Sequence, residues 1–224
     1  LLRSLDRPDA ALSKLSQFVS SSSDPSSLIG ILAQDEGALS ALLQIFATSP
    51  SLADRLISDP ASFDLIRITD DRPVVKESLI QELRAELTDV DQTSRAALLI
   101  RRFYTRENMR VAYHEFVRGA SPEKIGRYLS FLVDAVIEVS LEYVIARLAA
   151  RRGMPQRPDG SIPEIAVIGL GNLGGQEMSY SSPIKLVFLF DSIDHNNTWH
   201  RDFYNTVVSD LVELLRGDQA RSSG

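Results

Sequence analysis

Along the long first part of the chain, apolar residues recur at the three- and four-residue spacing of helices buried on one side. Residues 1 to 23 carry Leu12, Leu15, Phe18 and Val19 at that spacing and predict one helix, ending in the serines at 20 to 23. Asp24-Pro25 opens a second, since proline suits the first helical turn, and Leu28, Ile31 and Leu32 form its apolar side. Ala38 to Phe46 predicts a third, with Leu39, Leu42, Leu43 and Phe46 inward. Ser49-Pro50 begins a short fourth through Leu52, Leu56 and Ile57, ended by Asp59-Pro60. Residues 61 to 75 have no period, and Asp70-Asp71-Arg72-Pro73 reads as a loop. Lys76 to Leu87 is amphipathic, with Leu79, Ile80, Leu83 and Leu87 on one side. Residues 93 to 118 predict a long helix with Asp91 or Thr93 as its cap. Ser121-Pro122-Glu123 has the make-up of a helix start. The helix it opens runs to about Arg152 and carries Ile125, Leu129, Leu132, Val133, Val136, Ile137, Leu141, Val144, Ile145 and Leu148. Its basic end suits the helix dipole, and Gly153 closes it.

The pattern changes after that glycine. Residues 153 to 163 hold prolines and glycines and form a linker. Ile165 to Ile168 and Leu186 to Phe190 are short apolar runs bounded by Gly, Ser or Pro, which predict two buried strands. Between them lie Gly169, Gly171 and the pair Gly174-Gly175. Glycine lets a backbone approach a phosphate closely, so such a turn is a candidate anion cradle. Thr198 to about Arg216 predicts a final helix with Phe203, Val207, Val208, Leu211 and Leu215 inward. The polar end from Gly217 to Gly224 reads as frayed.

The stretch Gly171-Asn172-Leu173-Gly174-Gly175-Gln176-Glu177-Met178-Ser179-Tyr180-Ser181-Ser182 resembles the signature of glutamine synthetase adenylyltransferases. So does the phrase from Ser49 to Pro60, and more diffusely residues 98 to 150. The resemblance implies a two-headed enzyme that adds AMP to, and removes it from, a tyrosine of glutamine synthetase. Each head is similar to the DNA polymerase beta type of nucleotidyltransferase. The implied fold is α+β and mostly helical: a helical subdomain over 1–152, a linker over 153–163, and a partial nucleotidyltransferase-like subdomain over 164–224. The implied cofactors are ATP and Mg2+, and the implied partners are glutamine synthetase and the PII signal protein. Gly174, Gly175, Ser181 and Ser182 would cradle phosphates. The extended helical prelude looks more like the AMP-removing head than the other.

In that family the two serines are followed by Asp-x-Asp, whose side chains, two apart on a strand, converge on Mg2+. Here the same positions hold Pro183 and Lys185. Proline has no ligating atom, and an ammonium repels a dication. The expectation is a head with its metal site damaged and no metal ligands of its own. Two readings of Lys185 stand beside it. Either it faces solvent from a strand end, or it replaces metal charge against a phosphate. The family's third carboxylate, on a later strand, has no match in these residues. A non-catalytic module binding a nucleotide or a partner is therefore the alternative function. Gly169 to Gly174 also fits the GxGxxG of dinucleotide sites, but residues 175 to 185 lack the periodicity of the helix that motif opens.

Composition narrows the setting. Of 224 residues 44% are hydrophobic, enough for a core. A net charge of −6 argues against nucleic acid as the main partner. The chain has no cysteine, which excludes disulfides and zinc–thiolate sites and agrees with a cytoplasmic location. No run reaches the length of a membrane span, and Leu1-Leu2-Arg3 does not open a signal peptide. His195 beside Asp191 and Asp194 reads as a solvated loop rather than a metal site. Arg102, Arg106 and Arg110, spaced by four, fall on a wheel face with Leu99, Phe103, Tyr113 and Val117. They would contact phosphates or glutamine synthetase, or pair internally with Asp134, Glu138 and Glu142. Internal pairing is the preferred expectation.

Overall fold

A computed structural model describes residues 5, 7–61, 63, 75–116, 119–157, 159–190 and 198–216. Among them are eight helices and one two-stranded sheet, an α+β chain that is mostly helical. The helices are α1 (Pro8–Ser21), α2 (Pro25–Gln34), α3 (Glu36–Thr48), α4 (Pro50–Ser58), α5 (Lys76–Leu87), α6 (Thr93–Phe116), α7 (Pro122–Arg152) and α8 (Thr198–Arg216). The strands β1 (Ile165–Leu170) and β2 (Lys185–Phe190) lie between α7 and α8. The loop read at 70–73, the acids and histidine at 191–195 and the end from 217 lie outside the described residues.

The helix boundaries follow from local chemistry. Pro8, Pro25 and Pro50 occupy first turns, where a missing N–H costs nothing. Asp24 accepts from the Ser27 amide at 3.0 Å and Asp35 from the Ala38 amide at 2.9 Å, so α2 and α3 are each capped by a carboxylate. The first bond of α6 runs from the Ala96 amide to the Gln92 carbonyl, so Thr93 is inside the helix rather than its cap. At the head of α7 the Ser121 hydroxyl holds the Glu123 carboxyl below the usual carboxylate range. Gly153 ends α7 at φ 79°, its amide on the Ala149 carbonyl at 2.8 Å.

The chain divides into two compact units, Leu1–Val74 with Thr105–Tyr128, and Val75–Tyr104 with Leu129–Gly224. α6 and α7 each contribute residues to both. In the first unit, Phe18 is fully buried and its ring lies 5.8 Å from Phe46 and 5.9 Å from Phe63. Burying one such ring contributes roughly 1.5–3 kcal/mol. Leu42, Ile45, Leu52 and Leu56 complete that core, whereas Leu12, expected inward, is 41% exposed. Ala11, at the helix position preceding it, takes the inner place.

In the second unit, Leu79, Ile80, Leu83 and Leu87 of α5 are all buried, as their spacing predicts. Lys76 meets Asp134 and Glu138 of α7 at 3.6 Å each, and Arg84 holds Glu142 with two bonds of 2.9 and 2.7 Å. Arg151 reaches Asp210 of α8 at 3.6 Å. Among the described residues no single helix is long and apolar enough to cross a membrane. The bent pair α2 and α3 passes such a test only jointly, across a 109° break, and buries Leu28, Leu32, Leu42 and Leu43.

Candidate functional site

The two strands are antiparallel, with Ile165 opposite Phe190 and Leu170 opposite Lys185. Alternation turns Ile165, Val167, Leu186, Phe188 and Phe190 to the half-buried side. On that side the Tyr204 ring of α8 stacks on Phe190 with 5.2 Å between centroids. The Tyr204 hydroxyl donates to the Pro163 carbonyl, just before β1. Burial pushes this phenol above its usual range. The linker is itself folded: the Arg157 amide bonds the Ser161 carbonyl at 2.7 Å, and Asp159 caps the Ser161 amide at 2.9 Å.

The glycine-rich connection is a closed turn. Gly171 has φ +62°, where side chains are rarely accommodated. At Gly174 a Cβ would sit 2.5 Å from the Gly169 carbonyl oxygen, so the turn folds against the end of β1 only because that position is bare. The Gly175 amide bonds the Gly171 carbonyl at 2.9 Å, Gln176 bonds Leu173 at 3.1 Å and Glu177 bonds Asn172 at 2.7 Å. Leu173 and Met178 are buried beneath it. Downstream, the Ser182 hydroxyl receives the Ser179 amide and the Asn172 side-chain amide at 2.9 Å each, and the Ser179 hydroxyl lies 2.9 Å away. The chain leaving Ser182 is thereby tied to the residue that follows Gly171.

Of the residues singled out in the sequence, Gly174, Gly175 and Ser182 come together here. Ser182 is half-buried and its hydroxyl is shared among three groups, while Ser181 is exposed. The Gly175 amide is already bonded within the turn. Asn172 and Ser179 were not picked out by sequence reasoning. Their signal was the tendency of Asn and Ser side chains to bond nearby backbone in turns. Pro183 and Lys185 follow the clasp, both exposed, with Lys185 as the first residue of β2. Neither side chain offers a metal an oxygen, and among the described residues no three His, Asp or Glu gather into a group that could hold one. The side chains at positions 183 and 185 do not suit a magnesium ion.

The arginine reading needs correction. The buried side of α6 runs through Ala96, Ile100, Phe103, Glu107 and Val111, not along the arginines, and Arg102 is exposed. Glu107 is 4% exposed, with Arg106 3.0 Å from one carboxylate oxygen and Arg110 2.7 Å from the other. Asp134, Glu138 and Glu142 instead take Lys76 and Arg84. The sequence pattern missed this because an acid, Glu107, occupies the inner face and gathers its neighbours. Of the histidines, His200 is buried beside Trp199, with ring centroids 5.4 Å apart, and His114 lies edge-on to Tyr128.

Residues 39–217 match the glutamate-ammonia ligase adenylyltransferase family. This chain belongs to that family. It is 31% identical over 193 residues to the bifunctional glutamine synthetase adenylyltransferase/adenylyl-removing enzyme of Pseudomonas putida, an alignment covering 83% of this chain and 20% of that protein. With the proteins of the same description from Thioalkalivibrio sulfidiphilus and Nitrosococcus oceani it shares 32% and 31% identity, again over 83% of this chain and 20% of theirs. The chain thus spans about a fifth of the length of the curated relatives it matches. The matched stretch contains the whole hairpin, its turn and α8.

Proposed function

We propose that this chain is a nucleotidyltransferase-like head of the glutamine synthetase adenylyltransferase type that keeps the hairpin but has lost metal-dependent AMP transfer. It would serve the control of glutamine synthetase as a folded, non-catalytic part. Glutamine synthetase is then its partner, alongside the PII signal protein, in the cytoplasm. ATP and Mg2+ are the cofactors that an intact head of this family would use. What supports the reading is one observation. The turn from Gly171 to Ser182 is fully formed, yet positions 183 and 185 just beyond it are an exposed proline and an exposed lysine.

Phosphoryl chemistry of this class depends on a metal that neutralises developing charge. The Pro183 side chain supplies nothing to hold one, and the Lys185 ammonium opposes its approach. The Ser182 hydroxyl and the Gly175 amide, expected as phosphate contacts, serve the turn itself. A phosphate would have to displace the bond of the Gly175 amide to the Gly171 carbonyl. The test is an assay of the purified chain for AMP addition to glutamine synthetase with ATP and Mg2+, and for AMP removal from the modified enzyme. No turnover is expected in either direction. Turnover at about 1 s−1 or faster, an ordinary enzyme rate, overturns the proposal. The double variant Pro183→Asp/Lys185→Asp is expected to gain Mg2+ affinity by calorimetry, because it puts two carboxylates on the side of the strand where the resemblance places them. Metal-independent ATP binding that Lys185→Asp abolishes would favour the nucleotide-binding module instead.

A further inference from the structure

The side of the hairpin facing away from α8 is apolar, although it meets solvent. Alternation puts Ala166, Ile168 and Leu170 of β1 and Val187 and Leu189 of β2 there. Ile168 and Leu170 are each 44% exposed, Val187 37% and Leu189 53%. A sheet face open to water is ordinarily polar. Among the described residues of the hairpin, charge appears only at opposite ends. Lys185 stands across from Leu170 at one end of the sheet, and exposed Glu164 immediately precedes Ile165 at the other.

We propose that this face is where two copies of the chain associate, sheet on sheet. The placement of the charges selects the geometry. A two-fold axis lying between the sheets and across the strands reverses the strand direction of the second copy. Each Lys185 then comes diagonally over the second copy's Glu164, within reach of both long side chains at the roughly 10 Å spacing of stacked sheets. The register supports the same axis: Ile168 falls over the second copy's Ala166, a large side chain against a small one, and Val187 falls over its Leu189. An axis along the strands would instead set each Lys185 over an apolar Leu170, leaving an ammonium covered without a partner. A two-fold contact is self-complementary, so both ion pairs form at once.

The patch is small. A face of this kind covers a few hundred Å2, below the roughly 800 Å2 per partner of a standard interface, and the net charge of −6 keeps copies apart at long range. The dimer is therefore weak and dependent on concentration. It needs only the hairpin, and a phosphate on Lys185 would compete with the ion pair that Lys185 makes across it.

Sedimentation velocity on the purified chain over a wide concentration range tests it, with circular dichroism on each variant as a check of folding. The sedimentation coefficient is expected to rise with concentration from monomer towards dimer. Lys185→Glu or Glu164→Lys alone should weaken the dimer by about tenfold or more, and the double reversal Lys185→Glu/Glu164→Lys should restore it. Val187→Asp, at an exposed position, should abolish it. A monomer at every concentration overturns the proposal. So does a dimer indifferent to these substitutions, or a double reversal that fails to rescue.

Discussion

Two adjacent glycines in the turn have different physical duties. At Gly174 the space for a Cβ is taken by the Gly169 carbonyl oxygen at 2.5 Å, a backbone atom that cannot rotate aside. At Gly175 the nearest atoms would be 3.5 Å and 3.7 Å away, ordinary contact distances, and φ is not positive. Gly174→Ala is therefore expected to cost about 1–3 kcal/mol, the range for forcing atoms into a filled space. In a chain of this size that lowers the melting temperature by roughly 2–12 °C. Gly175→Ala should leave it nearly unchanged. Equal effects in thermal melts followed by circular dichroism would show that the turn does not close on β1 as described. The sequence marked both glycines alike, since a Gly-Gly pair announces a turn without saying which member is crowded. Ser182 likewise read as a phosphate contact. Its hydroxyl proves to be the point where Asn172 and Ser179 converge, and no spacing rule reveals that.

Among the elements, α5 and α7 show how far periodicity reaches. The inward residues of α5 were legible because a three- and four-residue apolar stripe has one solution when a helix is covered on one side. The partners of the α7 acids were not, because they come from the exposed edges of helices, where many pairings have nearly equal energy. Within that seam, burial raises the Asp134 carboxyl above its ordinary range, and Lys76 offsets part of the rise. A carboxyl raised by folding contributes stability below its unfolded pKa and loses it as pH climbs through the folded one. At neutral pH the ionised Asp134 is thus a net cost. Asp134→Asn, which leaves Lys76 its contact with Glu138, is expected to raise the melting temperature at pH 7 and to lose that advantage in acid. Solvent screens this half-buried site, so the gain stays under about 1 kcal/mol, or roughly 2–4 °C. A lower melting temperature at neutral pH would mean that the Lys76 pair outweighs desolvation.

For the whole molecule, the helical content, the order of elements and the hairpin were readable from the 3.6-residue and two-residue periods. α6 and α7 read as single helices, and nothing in their pattern marks that each contributes to two compact units. That positions 183 and 185 hold a proline and a lysine was readable, because it is a matter of residue type rather than of packing. Pro183 and Lys185 stand exposed at the mouth of a turn that holds itself together with its own amides and hydroxyls. Such a turn needs no ion for its shape, and this has a consequence for the stability of the molecule. A ligand that binds the folded chain stabilises it in proportion to its saturation. At about a hundred times its dissociation constant the gain is about 2.7 kcal/mol, a rise of roughly 5–11 °C in a chain of this length. Millimolar Mg2+, with or without ATP, is therefore expected to leave the melting temperature of the native chain where it is. The same additions should raise that of Pro183→Asp/Lys185→Asp, whose paired carboxylates give the ion somewhere to sit. If Mg2+ stabilised both equally, its binding would owe nothing to positions 183 and 185, and the proposed loss of AMP transfer would lose its stated cause.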